Sequence, residues 1–197
     1  HNPVIGTRSF GDDPARVAAF AAAWVRGSEG AGVATPPKHF PGHGETPVDS
    51  HLNLVDVTAD RATIERRDLP PFRAAFAVGA SMVMTAHVRY HAIDRNAPAT
   101  ISRPILTDLL RGELGFTGLC ITDSLDMTGI HVNSPDRIVG RAIDAGVDAV
   151  MVTSHLDQQL AAAGWIASAA SPVRVGEALS RATPFRMRFG IDVPDDD

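Results

Sequence analysis

The run Lys38-His39-Phe40-Pro41-Gly42-His43-Gly44-Glu45-Thr46-Pro47-Val48-Asp49-Ser50-His51 places one lysine, two carboxylates and three histidines within fourteen residues. Its prolines and glycines forbid a helix or a long strand, so it reads as a shaped loop. Ionisable groups are costly to gather on a loop unless they bind something, and loops on rigid scaffolds are where binding and catalytic groups collect. A second stretch, Ile121-Thr122-Asp123-Ser124-Leu125-Asp126-Met127, sets an acid at the end of an apolar run. The two stretches read as halves of one site. Asp123, fixed at a strand end, is held by rigid backbone as a nucleophile should be; a turn or helix-capping aspartate is the plainer alternative. An imidazole gives and takes a proton near neutral pH, which suits His51 to acid–base work. Asp49 would orient that ring and stabilise its charged form. Residues two apart in an extended chain stand roughly 6.5 to 7 Å apart, so this pairing needs a bent loop, and Pro47 offers one.

Lys38 is the sole lysine, leaving 17 of the 18 basic residues as arginine. A compact ammonium there, whose geometry a planar guanidinium does not reproduce, is the functional reading; chance survival is the other. His87 ends an apolar strand and either lines the same pocket or is a satisfied histidine at its rim. Met127 either packs on an apolar face of the ligand or belongs to the core. His39 and His43 stand four apart, but Pro41 and Gly42 between them rule out the helix that would bring such ligands together, so no metal site is expected. Nor does any stretch call for a cofactor.

The elements that must carry these groups follow from period and punctuation. Asp13-Pro14 starts a helix whose buried face is read from Val17, Phe20, Ala21 and Trp24. Val33-Ala34-Thr35 is a short strand running into the Lys38 loop. Asp60 to Val78 is a helix with Ile64, Leu69, Phe72 and Phe76 as its apolar stripe, split or kinked at Pro70-Pro71. Strands at 81–86, 118–122 and 149–153 alternate with helices at Pro104 to Leu114, Ser134-Pro135 to Ala145, Leu156 to Ala170 and Val173 to Arg186. This order implies parallel strands with helices outside, and the candidate site loops leave the C-terminal ends of strands.

The composition permits one domain with a sizeable core: 197 residues, 44% hydrophobic. A net charge of -5 gives no basic surface for nucleic acid. No apolar run reaches the roughly 18 residues that span a bilayer. Cys120, the single cysteine, excludes an internal disulfide framework and is read as core.

Asn2-Pro3-Val4-Ile5-Gly6 with Arg8-Ser9-Phe10, the Lys38-to-Gly44 loop with Asp49-Ser50-His51, then Thr85-Ala86-His87-Val88, Leu109 to Phe116 and Ile121 to Met127 together resemble the family 3 glycoside hydrolases, in the bacterial β-N-acetylhexosaminidase branch. The resemblance implies an α/β fold of the (β/α)8 TIM-barrel type, present here as a partial barrel over residues 1–190 with an acidic tail at 191–197. It implies release of terminal β-linked N-acetylglucosamine, from cell-wall peptidoglycan fragments or chitin-type oligosaccharides, with retention of configuration. Asp123 would be the nucleophile, His51 the acid/base oriented by Asp49, and Arg8, Lys38 and His39 would hold sugar hydroxyls. Retention needs a nucleophile and a proton donor at the anomeric centre, which Asp123 and His51 could supply. Alternatives are a β-glucosidase or an N-acetylglucosaminide phosphorylase of the same fold, since a histidine does not repel an incoming phosphate, and a non-catalytic sugar-binding fragment. Relatives carry further barrel strands before the Asn2 segment, so the missing N-terminal part of the barrel is an expected partner, and poor activity is expected of the chain alone.

Overall fold

The computed structural model describes residues 5–45, 54–127, 130, 135–153 and 156–191. Asp49 and His51 lie outside the described residues, as do Asn2 to Val4, Ser134 and residues 192–197 of the acidic tail.

Helix α1 spans Pro14–Gly30, and the Asp13 carboxylate accepts from the amides of Ala15 and Arg16, the N-cap the sequence calls for. Its buried face differs from the expected one. Ala22 and Val25 point inward, Val25 meeting Ala75 and Ala80, whereas Phe20 and Trp24 are 44% and 61% exposed and gather around Phe10. The helix packs against the later helix Pro70–Ala77 through small side chains, which allow close approach, and the large rings are left on the far face.

After β1 (Val55–Val57), Asp60 caps a helical stretch, its carboxylate taking the Thr63 amide at 2.7 Å. The stretch begins as α2 (Arg61–Thr63), widens to a π turn over Ile64–Asp68 and restarts at Pro70 as α3 (Pro70–Ala77). The expected break at Pro70-Pro71 is therefore present, and Ile64, Leu69 and Phe72 are buried as their spacing requires.

Strands β2 (Met82–Met84), β4 (Leu119–Ser124) and β5 (Ala149–Met151) form a parallel sheet in the order β2-β4-β5. Chain segment Pro37–Phe40 extends this sheet beyond β2: Met84 N donates to Pro37 O, Phe40 N to Met84 O and Ala86 N to Phe40 O. The strand expected at 33–35 thus makes its sheet contacts a few residues later. A second, two-stranded parallel sheet pairs β1 with β3 (Val88–Tyr90), Val55 opposite Val88. Connections between the larger sheet's strands run through α2/α3, then the π helix Pro104–Glu113, then α4 (Pro135–Ala145). Helices α5 (Leu156–Ala169) and α6 (Pro172–Arg188) follow β5. The fold is α/β with small open parallel sheets, and no closed eight-stranded barrel is formed among the described residues.

The core lies between the sheet and this helical layer, built from Val83, Cys120, Ile105, Leu106, Leu109, Leu110, Ile138 and Ile143. Gly118 is fixed by close approach: a Cβ there would meet Ser81 O at 2.4 Å. Helix α6 is attached differently. It buries only Ala178 among its residues, and Arg174, Arg181 and Arg188, each seven residues apart, reach Val147 O, Asp148 and Glu29.

Candidate active site

Every strand of the larger sheet ends at the same rim, and of the described groups singled out by the sequence, Lys38, His39 and Asp123 meet there. The segment Pro37–Phe40 delivers Lys38 and His39 to that rim, with cis peptide bonds at Lys38-His39 and Phe40-Pro41. Phe40 is wholly buried and packs edge-on against Phe72, centroids 5.2 Å apart, which pins the segment from beneath. Beyond it the loop is seated on α2/α3 and β3. Tyr90, wholly buried on β3, donates its hydroxyl hydrogen bond to Gly42 O. Gly42 has φ 149°, and a Cβ there would come within 2.9 Å of Asp68 Cβ, so this position requires glycine. Arg67 holds Asp68 through two contacts of 2.8 and 3.0 Å and reaches Glu45 on the loop at 2.7 Å.

Asp123 stands near the end of β4, its side chain 19% exposed. Its Oδ1 accepts from Ser124 N at 2.8 Å, and its Oδ2 lies 3.3 Å from His39 Nε2. Burial, opposed by the Asp123 charge and assisted by His43, Lys38 and Arg8, lowers the His39 pKa to about 4. At neutral pH the His39 ring is therefore uncharged: it can donate a hydrogen bond toward Asp123 without cancelling the carboxylate's charge. Arg8, exposed on the single turn at Gly6–Arg8, is near enough for its charge to oppose protonation of His39. The ring of His43 is buried against that of His39, centroids 5.4 Å apart. Lys38 is exposed at the rim.

His87 is placed otherwise. It is 1% exposed, with Nδ1 2.6 Å from Thr100 Oγ1 and Nε2 2.9 Å from Ser124 O. Met127 is half-buried just past the β4 tip, its amide donating to Ser124 O. Asp126 ties the ends of β4 and β5 together: its Oδ2 accepts from Thr153 N at 2.6 Å and from Ser124 Oγ at 2.9 Å.

The sequence reading missed Tyr90, the Arg67–Asp68–Glu45 bracket and the Thr85–Thr100–His87 contacts. Tyr90 is the only tyrosine of the chain, a signal of the kind that drew notice to Lys38. The others depend on links from Arg67 to Glu45 and from Thr100 to Thr85 and His87, which span 13 to 22 residues and leave no spacing to read. No cluster of three or more possible metal ligands occurs among the described residues, and no helix among them is long and apolar enough to cross a membrane.

Residues 1–181 match the family described as the glycosyl hydrolase family 3 N terminal domain. The chain belongs to this family. Within glycosyl hydrolase family 3 it is similar to a β-hexosaminidase from Stenotrophomonas maltophilia (strain K279a), 46% identical over 77% of this chain and 45% of that protein. It is also 43% identical to β-hexosaminidase A of Pseudoalteromonas piscicida, over 77% of this chain and 28% of that protein. The solved structure of a family 3 β-N-acetylglucosaminidase from Paenibacillus sp. str. FPU-7 superposes with a TM-score of 0.93 at 38% identity, covering all of this chain and 39% of that one. The likeness is thus to the β-hexosaminidase branch, and the chain spans less than half the length of these relatives.

Proposed function

We propose that this chain carries the glycosidic centre of a retaining β-N-acetylhexosaminidase that removes terminal β-linked N-acetylglucosamine from cell-wall or chitin-type oligosaccharides. The observation that carries the reading is Asp123, held at the β4 tip by Ser124 N and facing a neutral His39 at 3.3 Å, with Arg8 and Lys38 close enough to act on that imidazole. In the first step the Asp123 carboxylate attacks the anomeric carbon while the bond to the aglycone oxygen breaks, and that oxygen takes a proton from His51. In the second, water gives a proton to His51 and attacks the same carbon, which releases Asp123. Asp49 orients His51 and holds its charged form. Arg8, Lys38 and His39 bind sugar hydroxyls, and Met127 lies beside the pyranose. The names of the similar proteins support the sugar class.

The strands Pro37–Phe40, β2, β4 and β5 are read as neighbouring staves of a (β/α)8 barrel, supported by their parallel pairing and intervening helices. The test compares hydrolysis of an aryl β-N-acetylglucosaminide and an aryl β-glucoside by the full-length protein and its Asp123→Ala form. N-acetylglucosaminide turnover that Asp123→Ala abolishes supports the reading. A preference for the glucoside, or turnover indifferent to Asp123, overturns it, and a sugar 1-phosphate as product in phosphate buffer reassigns the second step.

A further inference from the structure

We propose that His87 is a positioning residue for Asp123, working through the backbone of Ser124 rather than by touching sugar; this rests on the glycosidase reading above. Ser124 O can only accept, so the 2.9 Å contact requires the proton on His87 Nε2. In a neutral ring Nδ1 accepts from the Thr100 hydroxyl, 2.6 Å away, in competition with Ala86 O, which lies 3.0 Å from the same hydroxyl. Thr100 in turn receives the Thr85 hydroxyl at 2.9 Å. These three side chains are all but completely buried, and they join three separate stretches: Thr85 just past β2, Thr100 in the turn Ala99–Ile101, and the tip of β4. The carbonyl fixes Nε2 as the donor, and the Nε2-protonated neutral tautomer is the form in which the Thr100 hydroxyl turns to the nearer Nδ1 rather than to Ala86 O.

What the relay grips is the residue after the nucleophile. Ser124 is held at its carbonyl by His87 and, at the longer 3.2 Å, by the Met127 amide, at its hydroxyl by Asp126 and Thr153, and it spends its own amide on Asp123 Oδ1. The carbonyl lies in the Ser124–Leu125 peptide, which Leu125 N also ties to Met151 O, and the amide that aims Asp123 lies in the Asp123–Ser124 peptide. The two planes meet at the Ser124 Cα, so loosening the first shifts the Ser124 backbone torsions and with them the second. A misplacement of about 1 Å at a reacting group costs on the order of 100-fold in rate. Sugar contacts made by Arg8, Lys38 and His39 do not pass through this peptide.

The test is a split of kcat from KM in the full-length protein on an aryl β-N-acetylglucosaminide. His87→Ala is expected to lower kcat by about 10- to 100-fold with KM within about twofold. In His87→Gln, whose amide can still donate to Ser124 O, most of the rate returns. A raised KM with kcat preserved would mean that His87 binds sugar, and failure of His87→Gln to rescue would deny the donor role; either overturns the proposal. Should the alanine form not fold, 15N spectra of the wild-type imidazole decide: the Nε2-protonated neutral tautomer is required, and the Nδ1-protonated tautomer or a charged ring contradicts it. This readout needs no turnover, so loss of the glycosidase reading would leave it standing.

Discussion

Two aspartates at opposite ends of the same sheet show how position divides structure from chemistry. Asp148 immediately precedes β5, at the N-terminal end of the strands, and its side chain is wholly buried. It accepts from Arg111 at 2.7 Å, Arg181 at 2.8 Å and the Cys120 amide at 2.9 Å, with Arg174 at 3.8 Å. Asp123, at the other end of β4, has among the described residues one backbone amide and one uncharged imidazole, and part of its surface is open. Asp148 has its lone pairs filled by donors and cannot attack anything; it is the knot that fastens α6 and the π helix to the sheet. Asp123 retains lone-pair capacity and access. A carboxylate's neighbours, more than its burial alone, decide which of these it becomes.

The contrast breaks most sharply at Asp123. Asp123→Ala should lower kcat by at least about 10^4-fold, as loss of a nucleophile does, while the melting temperature stays within a few degrees. Asp148→Ala should do the reverse: leaving Arg111 and Arg181 without their buried partner costs about 3–5 kcal/mol. That corresponds to a fall of roughly 10 °C in melting temperature for a chain of this size, with kcat per folded molecule unchanged. Unequal damage in the opposite sense would collapse the distinction. Arg181→Met removes one of several donors to Asp148 and should cost about 1–3 kcal/mol by urea denaturation.

His39 sharpens the comparison through pH. The unfolded chain takes up this proton below about 6.5, but the folded protein only below about 4. Stability linked to His39 is therefore present above pH 6.5 and lost as pH falls toward 4, at most about 3 kcal/mol over the window. The difference between wild type and His39→Gln in urea midpoints from pH 7 to 4 should trace this loss, and parallel profiles would contradict it. Gly42→Ala should have a smaller effect, displacing the loop from Asp68 and raising KM a fewfold without altering the Asp148 knot.

The legible parts of the molecule were those governed by local rules. Asp13-Pro14 and Asp60 signalled helix starts because capping is decided within three residues, and Ile64, Leu69 and Phe72 signalled a buried stripe because they share one helical face. Asp123 was legible from the apolar run that ends on it. The face of α1 was misjudged because an alanine-rich helix offers two plausible faces, and packing against α3 favoured the one with the smaller side chains. Strands β1 and β3 were missed: each is three residues long, with a polar residue in the middle, and each exists only through its distant partner. The Asp148 knot is non-local in the same way, although the seven-residue spacing of Arg174, Arg181 and Arg188 was there to be read.

The most direct test of Asp123 as the covalent nucleophile is to trap the glycosyl-enzyme with a fluorinated N-acetylglucosaminide that deglycosylates slowly, then map the modified peptide by mass spectrometry. One added sugar on the peptide holding Ile121 to Met127, attached at Asp123, is the expected result. A label on any other side chain, or no covalent species together with a product of inverted configuration, would contradict it.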